Sequence, residues 1–127
     1  MFAITINDSP LLEVVSKHHS FTYATDGSHT NPLEATYAAL TGCAAVYARK
    51  ACIQMDISAE GIQIHCRLVG RSDNLVVPAK IVTRISFPQR FTPEQRSTVV
   101  STVDQCPVKA LMSNGQQMEF VIEQTDA

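Results

Sequence analysis

At 127 residues the chain is sized for one domain around one core, and 45% hydrophobic against 17% charged residues excludes a disordered chain. A net charge of -2 and a pI near 6.0 leave no electrostatic footprint for nucleic acid, and no basic run marks a membrane surface. The N-terminus MFAITINDSP lacks the pattern of a signal peptide, and the longest uncharged stretch, 35–48, is too short to span a bilayer. A single soluble, cytoplasmic domain over residues 1–127 is therefore expected, with Cys43, Cys52, Cys66 and Cys106 as reduced thiols.

Phe2, Ile4 and Ile6 alternate with polar residues and predict a first strand. After the turn Asp8-Ser9-Pro10, Leu11 to Val15 and Ser20 to Ala24 predict two short strands, and Thr25 to Thr30 a polar loop. Asn31-Pro32-Leu33-Glu34 then reads as a capping box with Pro at the first helical position. The helix it opens should run to about Cys52. Between Leu33 and Ala48 only Glu34, Thr36, Thr41 and Gly42 interrupt its apolar surface. A helix apolar nearly all round must be covered on more than one side, and one small sheet covers only one. The second cover is expected to be a second copy, which predicts a homodimer built on this helix. Gly42 costs about 1 kcal/mol relative to alanine there, a cost that close approach of another backbone would offset.

Ile62, Ile64, Cys66 and Leu68 alternate with polar residues, as do Ala79, Ile81, Thr83, Ile85 and Phe87 after the loop GRSDNLVVP. These predict two antiparallel strands, with Cys66 facing inward. Thr92-Pro93-Glu94-Gln95 is a second capping box, opening a helix with Val99, Val100 and Val103 on its apolar face and an end near Asp104-Gln105. Cys106-Pro107 breaks it, and Pro107 restarts a short helix through Val108, Leu111 and Met112. After the turn Ser113-Asn114-Gly115, a last strand is expected to hold Met118, Phe120 and Ile122. This order predicts an α+β fold.

Cys43 and Cys52 lie nine residues apart, about 900° around a helix, so they face opposite sides and do not act together. Cys52 and Cys66 read as packing residues. Cys106 stands at a helix start, where free N–H groups and the dipole favour a thiolate. A thiol in mid-helix, such as Cys43, has no such help. Local chemistry alone therefore ranks Cys106 above Cys43.

The stretch NPLEATYAALTGCAAVYARK resembles the OsmC/Ohr family of osmotically inducible and organic hydroperoxide resistance proteins. Its mark is a helix opening on Asn-Pro with a cysteine twelve residues after the asparagine, here Asn31 to Cys43. The second mark is a Cys-Pro dipeptide after a later helix, here Cys106-Pro107-Val108, 63 residues beyond Cys43. The resemblance covers nearly the whole chain in element order. It implies an OsmC-like fold of antiparallel sheets on a long cysteine-bearing helix, in an intertwined homodimer with its sites at the interface.

It also implies a thiol peroxidase acting on organic hydroperoxides. Cys43 would become the sulfenic acid, Cys106 would resolve it to a disulfide, and an external dithiol would reduce that disulfide. No metal or organic cofactor is implied. The organic hydroperoxide branch has its glutamate directly after the proline, where Leu33 stands here; Glu34 is one position later and has a capping role of its own. The family's activating arginine in an early strand has no counterpart, since the first arginine is Arg49. Arg49 points about 120° away from Cys43 and would serve only across a dimer. Lys17, His18, His19 and His29 are the other cations considered, each more readily read as a solvated surface residue. Thr36 and Tyr47 share the face of Cys43 and offer hydroxyls to it. The alternative reading is a non-enzymatic protein that binds a small apolar ligand or senses oxidation.

Overall fold

The computed structural model describes residues 1–71, 73 and 76–124. In chain order these form β1 (Leu12–Val15), β2 (Ser20–Tyr23), α1 (Pro32–Gln54), β3 (Gln63–Val69), β4 (Lys80–Ser86), α2 (Pro93–Val103) and α3 (Pro107–Asn114). Two small antiparallel sheets and three helices make a mixed α/β chain. One sheet pairs β1 with β2, the other β3 with β4. Within the second, Cys66 sits opposite Thr83 and Ile64 opposite Ile85, so the alternation read from the sequence sets the register. Ser72, Asn74 and Leu75 of the loop 70–78 lie outside the described residues.

Capping starts the two longer helices where their sequences place them. The Glu34 N–H donates to Asn31 Oδ1 at 2.9 Å, while the Asn31 amide donates back to Glu34 Oε1 at 2.6 Å. The return bond thus comes from the side chain rather than from the backbone N–H of a full capping box. The box at α2 is complete: Gln95 N–H donates to Thr92 Oγ1 at 3.1 Å and Thr92 N–H to Gln95 Oε1 at 2.9 Å. Helix α1 ends at Gln54, two residues beyond the expected end, with Met55 as its C-cap.

One side of α1 builds the core. Ala44, Ala48, Ala51 and Cys52 are buried against Val99 and Val103 of α2, with Phe91 alongside. Alanines at these spacings form a shallow stripe, which lets α2 approach closely and bury its valines. Ile62, Ile64, Ile85 and Phe87 cover the cluster from the hairpin side. Arg90 ties the loop before β3 to this core, donating to the carbonyls of Ser58 and Glu60 and lying 5.1 Å over the Phe91 ring. Gly61 turns the chain there with φ +89°, and a Cβ on it would meet Pro88 at 3.0 Å.

Both terminal strands expected from the sequence are absent from the described chain. The Phe2-Ile4-Ile6 segment contributes only one bridge, Ala3 to Val15, and residues 115–124 hold no strand. Alternation alone does not make a strand: it needs a neighbour for its N–H and C=O groups and a layer for its apolar face. Among the described residues the first segment pairs with β1 only at Val15 and the last pairs with no strand, and Phe120 is 93% exposed and Ile122 99%. Cys66 is half-buried rather than sealed in the core, its Sγ 3.3 Å from Thr83 Oγ1.

Candidate active site

Cys43 lies in the middle of α1, half-buried, and Cys106 lies at the junction of α2 and α3, where it is 1% exposed. Packing of α1 against both α2 and α3 brings the two thiols, 63 residues apart in sequence, close enough for Cys106 to act on the ionisation of Cys43. All four cysteines are free thiols.

The pKa of Cys43 is pushed up, first by burial, next by its hydrogen bond with the Cys106 thiol, which favours the protonated form. Opposing these, the backbone N–H of Val108 hydrogen-bonds the Cys43 sulfur and favours the thiolate; negative charge on Cys106 works the other way again. Val108 is the second residue of α3, so its N–H is one of the free donors at that helix start. The expectation that this helix start serves Cys106 needs correction. Cys106 holds the N-cap position but makes no side-chain cap bond. A donor of α3 is turned to Cys43 instead. Sequence spacing missed this because it shows that a helix begins at Pro107 and not which side chain of another helix its first N–H groups meet.

No cation among the described residues figures in the ionisation of Cys43. Arg49 is exposed on another face of α1, lining a groove of about 550 Å³ with Gly42, Ala45 and Ile62. Lys17, His18 and His19 are exposed around the β1–β2 turn, and His29 is exposed beside Ser28, 3.2 Å from its hydroxyl. Glu34 is engaged with Asn31 at the start of α1, nine residues and about 14 Å along the axis from Cys43. The Thr36 hydroxyl donates to the Pro32 carbonyl at 3.0 Å. Tyr47 packs against the core, with Lys50 Nζ 5.3 Å from its ring centre. Cys52 is buried in the core, where burial pushes its pKa up and Arg90 partly opposes that.

A cleft of about 500 Å³ opens between α1, β4, α2 and α3, a size suited to a small molecule. Leu40, Ile81, Ile85, Val100 and Met112 give it apolar walls, and Cys106 forms part of its surface. Cys43 does not line it. Asp104 and Lys109 stand at its edge as an exposed ion pair bridging the Cys106-Pro107 junction. Among the described residues no three His, Cys, Asp or Glu side chains gather as metal ligands, and no helix is long and apolar enough to cross a membrane.

Solved structures share this arrangement of elements. An OsmC-like protein from Mycoplasma pneumoniae matches with a TM-score of 0.69 at 11% identity, covering 91% of this chain and 87% of the other. A candidate osmotic stress induced and detoxification response protein from Psychrobacter arcticus 273-4 matches with a TM-score of 0.70 at 14% identity, covering 86% and 85%. At these identities the likeness is one of fold. Among curated proteins no match is found. The family model described as OsmC-like protein matches residues 25–121, a span that includes α1, both thiols and the Cys-Pro junction, and the chain belongs to the OsmC-like family.

Proposed function

We propose that the chain is a thiol peroxidase that reduces organic hydroperoxides with Cys43 and resolves the product with Cys106. The observation that carries the reading is the contact between these two thiols at the start of α3, with the Val108 N–H on the Cys43 sulfur. The Cys43 thiolate attacks the distal peroxide oxygen, the O–O bond breaks, and the alcohol leaves as Cys43 becomes a sulfenic acid. Cys106 then attacks that sulfur, water leaves, and a Cys43–Cys106 disulfide forms. An external dithiol restores both thiols. No metal or organic cofactor is needed for these steps. Cysteines kept as free thiols suit the cytoplasm.

The working form in this reading is a homodimer. Val46 and Ile53 are exposed on α1, and Phe120 and Ile122 are exposed on the tail. A second copy would cover such a surface and carry the hydroperoxide site at its edge.

The raised pKa of Cys43 makes the reading testable by pH. Only the thiolate attacks, so a pKa above the ordinary thiol value leaves little of it at pH 7. The rate of Cys43 oxidation should climb about tenfold per pH unit, without a plateau below the ordinary thiol range near 8.5. Consumption of tert-butyl hydroperoxide with dithiothreitol as reductant should be lost in Cys43→Ser and kept in Cys52→Ser. Wild type no faster than Cys43→Ser would sink the enzyme.

Among the described residues no cation acts on the Cys43 pKa, which favours one second reading: a non-enzymatic member that holds a small apolar ligand or registers oxidation through the same thiol pair. Its mark would be slow, stoichiometric conversion to the disulfide with no turnover.

A further inference from the structure

The two sulfurs of the pair meet different surroundings. Cys43 is half-buried in the middle of α1. Cys106 is 1% exposed, yet it forms part of the wall of the 500 Å³ cleft, which Cys43 does not line. The cleft is walled mainly by Leu40, Ile81, Ile85, Val100 and Met112, with Lys109 and Asp104 at its edge. A buried sulfur on the wall of a cleft of small-molecule size is addressed by what enters that cleft.

We propose that the cleft is the entry route of the reducing dithiol, and that the dithiol attacks the Cys106 sulfur of the Cys43–Cys106 disulfide. This rests on the peroxidase reading for its place in a cycle. Its chemistry requires only that the disulfide exist.

Displacement at a disulfide proceeds along the S–S axis, with the incoming sulfur opposite the leaving one. Attack on Cys106 therefore needs access to Cys106 from a side that Cys43 does not occupy, and the cleft is lined by Cys106 and not by Cys43. One thiolate of the reductant bonds to Cys106 Sγ, the Sγ–Sγ bond breaks, and its electron pair leaves on Cys43. The Val108 N–H donates to the sulfur on which that charge arrives. The second thiol of the reductant, deprotonated, attacks the reductant sulfur of the mixed disulfide and expels the Cys106 thiolate. The reductant ends as a disulfide, two electrons having passed to the protein, and its two protons remain with the protein thiols or solvent. Attack at Cys106 returns Cys43 directly as the thiolate the next turnover uses. Attack at Cys43 would leave that sulfur occupied by the reductant. The proposal thus separates two doors: hydroperoxide to Cys43 from the α1 side, dithiol to Cys106 from the cleft.

Diamide links the thiols without peroxide, and glutathione, a monothiol, then stops at the mixed disulfide. After quenching with N-ethylmaleimide, mass spectrometry reads which cysteine carries glutathione, because Cys43 and Cys106 fall in different tryptic peptides. The expected result is about tenfold more glutathione on Cys106 than on Cys43 at the shortest times. Equal labelling, or a majority on Cys43, would overturn the proposal, as would failure of diamide to link the pair. A second arm uses Val100→Trp, which narrows the cleft. Reduction of its disulfide by dithiothreitol should slow about tenfold while Cys43 oxidation by tert-butyl hydroperoxide keeps its wild-type rate; equal slowing of both, or of neither, would count against the route. Glutathione on Cys106 in a protein whose Cys43 no hydroperoxide oxidises would uphold the route and remove the peroxidase.

Discussion

The C-terminal half of α1 and the chain termini are built from similarly apolar residues and end in opposite conditions. Around Cys52, the alanine stripe of α1, the valines of α2 and Phe91 bury one another, with Arg90 fastening the neighbouring loop. At the termini, Phe2, Phe120 and Ile122 stay exposed; among the described residues the first segment touches β1 by a single bridge and the last joins no strand. The first region is complete within one chain. The second leaves large apolar side chains exposed, the surface that the proposed dimer would cover. Cys43 sits between the two: its inner neighbours are Cys106 and Val108, while Val46 and Ile53 of the same helix are exposed.

The contrast can be tested by substitutions of decreasing effect. Phe91→Ala empties a buried ring site and should lower stability by about 3–5 kcal/mol in urea unfolding, independent of protein concentration. A loss below 1 kcal/mol would mean that the core lies elsewhere. Phe120→Ser removes an exposed ring, so unfolding of dilute protein should barely change, while dimer dissociation measured by light scattering should become about tenfold easier. A strictly monomeric wild type would remove this half of the comparison. Gly42→Ala should have the smallest effect. Nothing lies within 4 Å of a Cβ built at Gly42, so the single chain should gain about 1 kcal/mol of helix stability. If α1 meets a second backbone there, the same methyl should weaken the dimer.

Much of the fold was legible because its signals are local. Asn31 and Thr92 cap helices through bonds to residues three positions on, and proline after Cys106 ends one helix and opens another. The β3–β4 pairing follows from two alternating runs joined by a loop. The terminal strands were misread because alternation records what a segment needs and not whether this chain supplies it. The site was half legible. Spacing and family resemblance singled out Cys43 and Cys106, whereas local chemistry assigned the start of α3 to the wrong thiol. The Val108 N–H reaches Cys43 only through the packing of α1 on α3, a long-range contact with no signature in either segment. The cleft on Cys106 is likewise assembled from four elements, and no one of them announces it.

The central claim, that Cys43 is the sulfur that meets the peroxide, is most directly tested in Cys106→Ser. This variant has no Cys106 thiol to resolve the sulfenic acid. After one equivalent of tert-butyl hydroperoxide, dimedone labelling followed by mass spectrometry should place the adduct on Cys43, formed faster than with hydrogen peroxide and faster still as pH rises. Labelling of Cys52 or Cys66 in its place, or no label above that of Cys43→Ser/Cys106→Ser, would contradict the account.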